Sequence, residues 1–171
     1  MLFSDDLFCV RKLKEGDISD FYDLLSSKVV MQYVKPVLNF NESKDELKRF
    51  ISYYDSPEKF YYIWAIVDIS NKQFLGICGV YLNHQKEFEI AYRLREKYWG
   101  QGIGKATAKA LIAYCKTTLG IKELVAYVDK RNLGSLTILK KFMKLAKDDG
   151  KTAIDKVEKK FTLTFYAPAD K

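Results

Sequence analysis

The sequence predicts an α/β fold of the mixed, α+β kind: a twisted, mainly antiparallel sheet flanked by helices, with one parallel pair. Three observations predict it. Between residues 60 and 94, three strand-like runs follow one another across short polar turns, as in an antiparallel meander. From Phe88 to Val128 the order is strand, helix, strand, and a crossover of that kind makes its two strands run parallel. The 171 residues, 48% hydrophobic and 30% charged, suit one globular domain with a sizeable core. No internal repeat, low-complexity tract or linker divides the chain, so residues 1–171 are expected to form a single domain.

The elements follow in order. Leu7 to Leu13 is apolar enough for a first strand. Ile18, Phe21, Tyr22 and Leu25 recur at helical spacing behind Glu15 and Asp17, acids that suit a helix N-terminus. Val29 to Phe40 has no period and contains Pro36, which predicts an irregular connection. A second helix opens near Asn41, with Leu47, Phe50, Ile51 and Tyr54 on one face. Ser43 and Glu46 have capping-box spacing there. Phe60–Val67, dense in aromatic and β-branched residues, and Phe74–Leu82 predict a hairpin turning at Asn71-Lys72. Phe88–Leu94 is the third strand. A helix is expected from Ile103 to about Thr118, with Ala106, Ala110, Leu111, Ala113 and Tyr114 on one arc. Lys105, Lys109 and Lys116 lie opposite, and Ile112 is an exception among the lysines. Gly120 supplies its left-handed stop. Glu123–Val128 is a strand. Asn132 opens a helix whose apolar face is Leu136, Leu139, Phe142, Met143 and Ala146, and Lys160–Tyr166 closes the sheet.

Trp99-Gly100-Gln101-Gly102-Ile103-Gly104-Lys105-Ala106 lies between the third strand and the long helix, and the chain is organised around it. Glycines at every second position let the backbone turn tightly and remove side chains that would block a ligand. The first N–H groups of the following helix point outward with the positive end of its dipole, a place for phosphate or pyrophosphate. Glycines also occur in strand-to-helix turns for steric reasons alone, so the loop by itself leaves both readings open.

Charge is uneven. Residues 1–96 hold 13 Lys/Arg against 15 Asp/Glu, and residues 97–171 hold 16 against 7, so the overall +7 comes from the half that begins near the glycine loop. That fits a ligand with several phosphates, a nucleic acid, or a solvated lysine-rich face. No aromatic-basic interleaving suited to stacking bases is present, so nucleic acid is not expected. No run reaches the ~18–20 apolar residues of a membrane span, and the first residues are no signal peptide, so no membrane partner is expected. Cys9, Cys78 and Cys115 lie far apart in apolar segments, as buried thiols of a cytoplasmic protein would, and no metal-ligand spacing occurs. His84 sits in a polar turn, where a solvated side chain is expected.

These residues resemble the GNAT superfamily of N-acetyltransferases, whose cofactor motif is Gln/Arg-x-x-Gly-x-Gly/Ala between a strand and a long helix. Gly102-Ile103-Gly104 fits, with Trp99 at the Gln/Arg position. The Trp-Gly-x-Gly-x-Gly form is similar to the branch that acetylates N-termini of ribosomal proteins. Asn132-Leu133-Gly134-Ser135, after a strand, resembles the family's Asn-x-x-Ser helix start, and the element order covers nearly the whole chain. The family usually ends this helix with Gly-Phe. Here Met143 and Lys144 stand there, which puts the C-terminal acceptor side in question.

The resemblance implies acetyl-CoA as co-substrate, no metal, and direct attack by an amine in a ternary complex. It implies pyrophosphate on the backbone of Gly100, Gln101, Gly102, Ile103, Gly104 and Lys105 beside Trp99. Pantetheine would lie along Ala91, Tyr92, Arg93 and Leu94, with Asn132 holding its arm or merely capping the helix. Glu89 is implied as the base, its alternative being a solvent-facing strand glutamate. Ser135 is implied as a proton donor to the thiolate, its alternative being a helix hydroxyl that bonds the backbone. Tyr127 and Cys115 are expected in the core. Partners are therefore an amine acceptor, a peptide N-terminus or a small molecule, with the protein a monomer or homodimer. Two other functions stay open. A non-catalytic acyl-CoA-binding or regulatory module would bind cofactor without transfer. A nucleic-acid-binding domain would show salt-steep binding that acetyl-CoA does not displace.

Overall fold

The computed structural model describes residues 1–56, 60–146 and 158–165. The strands are β1 (Phe3–Ser4), β2 (Phe8–Lys12), β3 (Tyr61–Asp68), β4 (Phe74–Leu82), β5 (Phe88–Leu94), β6 (Glu123–Asp129), β7 (Lys144–Leu145) and β8 (Glu158–Thr164). The helices are α1 (Ile18–Ser26), α2 (Lys28–Met31), α3 (Phe40–Ser52), α4 (Ile103–Thr117) and α5 (Leu133–Phe142). One mixed sheet runs β1-β2-β3-β4-β5-β6-β8-β7, antiparallel everywhere except between β5 and β6. The expected meander and parallel pair are both present. The closing strand begins earlier than expected, and Tyr166 lies outside the described residues, as does Lys147 after the last helix.

Alternation along the strands gives the sheet two apolar faces. Trp64, Ile66, Cys78, Val80, Ile90 and Leu94 meet α4 and α5 on one side. Ile63, Ala65 and Ile77 meet α1, α2 and α3 on the other. Among the described residues no helix is long and apolar enough to cross a membrane.

Five expectations are corrected. The α3 capping box is Asn39 with Glu42, one turn before Ser43 and Glu46. Asn39 Oδ1 accepts from Glu42 N at 3.0 Å, and Glu42 Oε2 accepts from Asn39 N at 2.7 Å. Ser43 is fully buried instead, which removes it from any solvent-side cap. The buried stripe of α4 is Ile103, Thr107, Ala108, Leu111, Ile112 and Cys115, an i, i+4 series, and Ala113 is exposed. Ile112 is thus core: one isoleucine buries far more apolar area than the alanines that suggested the other arc. Helix α5 stops at Phe142, and Met143, still buried, is already extended and leads into β7. Cys9 is half-buried, whereas Cys78 and Cys115 are buried. The connection before α3 also holds a short helix, α2, capped by Ser27 Oγ on Val30 N at 3.3 Å.

Tyr54 joins the α3 layer to the sheet. Its hydroxyl accepts from Leu13 N at 2.9 Å and donates to the Ile63 carbonyl. Tyr54→Phe strands a part-buried donor and acceptor together, so it is expected to lower stability by about 1–3 kcal/mol. Urea unfolding checks this, and an unchanged midpoint would show that water replaces the hydroxyl.

Candidate active site

Strands β5 and β6 are joined by one registered pair, Glu89 with Val125, near the start of each. Beyond it they diverge, and a groove opens between Tyr92 and Leu94 on one side and Ala126 and Val128 on the other. Its volume, about 2370 Å3, exceeds the roughly 300–1,000 Å3 of a single-ligand cleft, so two substrates have room to meet. Arg95 N donates to Leu75 O at 2.9 Å on the β4 side. Alternation then turns the backbone groups of Ala91 and Arg93 toward β4 as well, and those of Tyr92 and Leu94 toward the gap. This splits the expected Ala91–Leu94 set in two. The Leu94 carbonyl already accepts the Trp99 indole N–H at 2.9 Å.

The glycine loop stands at the wide end. Gly100 (φ +74°) and Gly102 (φ +79°) are left-handed, and a Cβ on either would meet nothing within 4 Å, so the space before them is open. The N–H groups from Gly100 to Lys105 donate to no protein acceptor among the described residues, the first recorded donor in the new helix being Ala106 N to Gly102 O at 3.0 Å. Gly104 serves a different need, since its Cβ would come within 3.2 Å of Ile138 Cδ1 on α5. Six unsatisfied donors around an open space at a helix N-terminus fit a pyrophosphate.

At the narrow end stands Glu89. Its Oε1 accepts from Tyr81 Oη at 2.7 Å and its Oε2 from Asn83 Nδ2 at 3.2 Å. Burial first, and then the Glu89 charge, raise the Tyr81 phenol above its ordinary value and keep it a donor. Asn83 cannot turn its amide round, because its Oδ1 already accepts from Gln85 N and Glu87 N. Tyr81 and Asn83 were missed from the sequence. The register Tyr81↔Glu89 follows only from counting back through the His84 turn, whose closing pair is Leu82↔Phe88.

Ser135 lies across the groove from β5. Its N–H donates to Asn132 Oδ1 at 3.1 Å, which makes Asn132 the cap of α5 and leaves only its Nδ2 for a ligand. The Ser135 hydroxyl does not turn back to the helix; it meets Tyr92 Oη at 3.3 Å. Burial pushes the Tyr92 phenol up to about 12, so this pair is protonated at neutral pH. Tyr127, expected in the core, is half-buried and lines the groove, its hydroxyl on Glu87 Oε2 at 2.8 Å. Cys115 is fully buried in the core, as expected.

An acetyltransferase (GNAT) domain model matches residues 8–142 of the chain. The chain belongs to the GNAT family of acetyltransferases. Among curated proteins, the uncharacterized protein YkkB of Bacillus subtilis (strain 168) is 24% identical over 142 residues, 80% of each chain. Among solved structures, a GNAT acetyltransferase from Bacillus anthracis superposes with a TM-score of 0.81 at 15% identity, covering 95% of this chain and 97% of that one. RimL, a ribosomal L7/L12 α-N-protein acetyltransferase solved with coenzyme A, does so at 0.77 and 16%, covering 94% and 95%. At such identities the structural likeness shows a shared fold, and this GNAT chain's substrates have to be argued from its own residues.

Proposed function

We propose that the chain, as a single domain, is an acetyl-CoA-dependent N-acetyltransferase acting on a primary amine by direct attack in a ternary complex. One observation carries the reading: unsatisfied donors open one end of the β5–β6 gap, and a hydrogen-bonded carboxylate stands at the other. The donors from Gly100 to Lys105 hold the pyrophosphate, Trp99 flanks them, and the backbones of Tyr92 and Leu94 with Asn132 Nδ2 hold the pantetheine arm. Bound there, acetyl-CoA supplies an acetyl group activated as a thioester. Glu89 takes the proton of the incoming ammonium at a carboxylate that Tyr81 and Asn83 hold in place. Ser135 Oγ, with the Tyr92 hydroxyl behind it, holds a proton for the leaving sulfur. The buried thiols Cys78 and Cys115 fit a reducing cytoplasm.

The test is free-thiol release from acetyl-CoA across peptides, amino acids, aminoglycosides and polyamines. Acetylated product from at least one class is expected. Cofactor binding with no transfer to any amine would overturn the reading in favour of a binding module. Binding of DNA or RNA that falls steeply with salt and ignores acetyl-CoA would overturn it in favour of a nucleic-acid domain.

A further inference from the structure

Arg93 belongs to neither end of this machinery. Its Cα is paired with Ile77 on β4, so its side chain rises on the sheet face covered by α1–α3, the face that also carries Glu89 two positions beyond Ala91. It is half-buried and lines the groove. Among the described residues its guanidinium has no ion pair and no side-chain hydrogen bond, although six other arginines or lysines there are matched to carboxylates. A carboxylate whose field reaches it, Glu46, already holds Lys35 at 2.9 Å and Arg49 at 2.6 Å. The other groups whose fields reach it, Tyr81 and Tyr61, are phenols that burial raises above their ordinary value, so neither offers it a negative charge at neutral pH. Burial lowers the Arg93 pKa to about 10, which leaves it fully charged at neutral pH.

A half-buried cation with unused planar donors beside an open groove is a good receptor for a carboxylate, which it can grip with two parallel hydrogen bonds. We propose that Arg93 selects the acceptor: the amine acetylated by this protein carries a carboxylate, bound at Arg93 while its amino group reaches the Glu89 end of the groove. This rests on the N-acetyltransferase reading. The Cα atoms of Glu89 and Arg93 are separated by four strand residues, roughly 13 Å at ~3.3 Å per residue. The two side chains close part of that distance, so amine and carboxylate belong several bonds apart. Two sources offer that chemistry, a free ω-amino acid and a peptide whose N-terminal region is acidic. A polyamine, which has only cations to offer, is disfavoured.

The test compares each acid with its neutral amide: ω-amino acids from glycine to 6-aminohexanoate with their amides, and the peptide Asp-Ala-Ala-amide with Asn-Ala-Ala-amide. Wild type is expected to prefer one acid over its amide by roughly 10- to 100-fold in kcat/KM, the range for one charge-assisted contact. The arm that shows the preference identifies the source. Arg93→Gln should erase the preference while leaving amide turnover and acetyl-CoA affinity unchanged, and Arg93→Lys should restore part of it. Equal turnover of acids and amides by wild type overturns the proposal. So does an Arg93→Gln variant that slows both alike, or a best acceptor without an anionic group. If Arg93→Gln does not fold, the wild-type comparison and Arg93→Lys decide. If nothing is acetylated, the transfer reading fails on its own. Calorimetric binding of the same acids and amides to the CoA-loaded protein then decides Arg93 separately, with equal affinities counting against it.

Discussion

Glu89→Gln is expected to keep the fold and the acetyl-CoA affinity while turnover falls by ~10²–10⁴-fold, the range for losing a general base. The substitution is close to isosteric. The new carboxamide oxygen can still accept from Tyr81 Oη, and the weaker 3.2 Å contact with Asn83 is lost because Asn83 cannot flip. The loss should shrink as pH rises and more of the acceptor arrives deprotonated. The deciding measurement is the pH–rate profile of wild type and variant on the best amine found. Superimposable profiles would remove Glu89 from the chemistry and leave it a strut between β4 and β5.

The second large effect belongs to the glycine loop. Gly102→Val places a β-branched side chain at φ +79°, a left-handed conformation that costs an ordinary L-residue roughly 1–2 kcal/mol and a β-branched one more. The backbone must then leave the conformation that aims its N–H groups at the open space. Gly104→Asp brings a negative charge into the first turn of α4, next to the donors, and its Cβ, 3.2 Å from Ile138 Cδ1, presses against α5. Each change is expected to weaken acetyl-CoA by at least ~10²-fold, about 2.7 kcal/mol, in a protein that circular dichroism shows to be folded. Calorimetry on a folded variant with wild-type affinity would move the pyrophosphate elsewhere.

Much of this fold can be read from the residues because two periods dominate it. The aromatic and β-branched runs at 61–68, 74–82 and 88–94 can be little but strands, and the turns between them are too short for anything but antiparallel pairing. The failures have local causes. Asn39 with Glu42 and Ser43 with Glu46 share the capping spacing, and only the burial of Ser43 separates them. The apolar period of α5 runs on through Met143 after the helix has ended, because an extended residue facing the same core also needs to be apolar. The glycine loop was legible because a local turn makes it. The surroundings of Glu89 were not, since Tyr81 and Asn83 reach it across strands, and pairing register is not written within any one segment. The sequence implies a role for Arg93 only through its backbone, and its side chain is informative only in the fold, which leaves it without a carboxylate partner among the described residues.

The single Glu89–Val125 pair joins the β1–β5 half of the sheet to the β6–β8 half. Treated as two plates meeting at a vertex, the halves can change their angle with little relative displacement at that point. Displacement grows with distance along the arms, toward Leu94 and Asp129 and the glycine loop. On the function proposed above, the reacting groups would sit at that vertex, where such a change of angle displaces them least. The pyrophosphate, on the same reading, would sit toward the far end, where the displacement is larger. Widening of the far end would then admit or release the proposed cofactor with little change around Glu89.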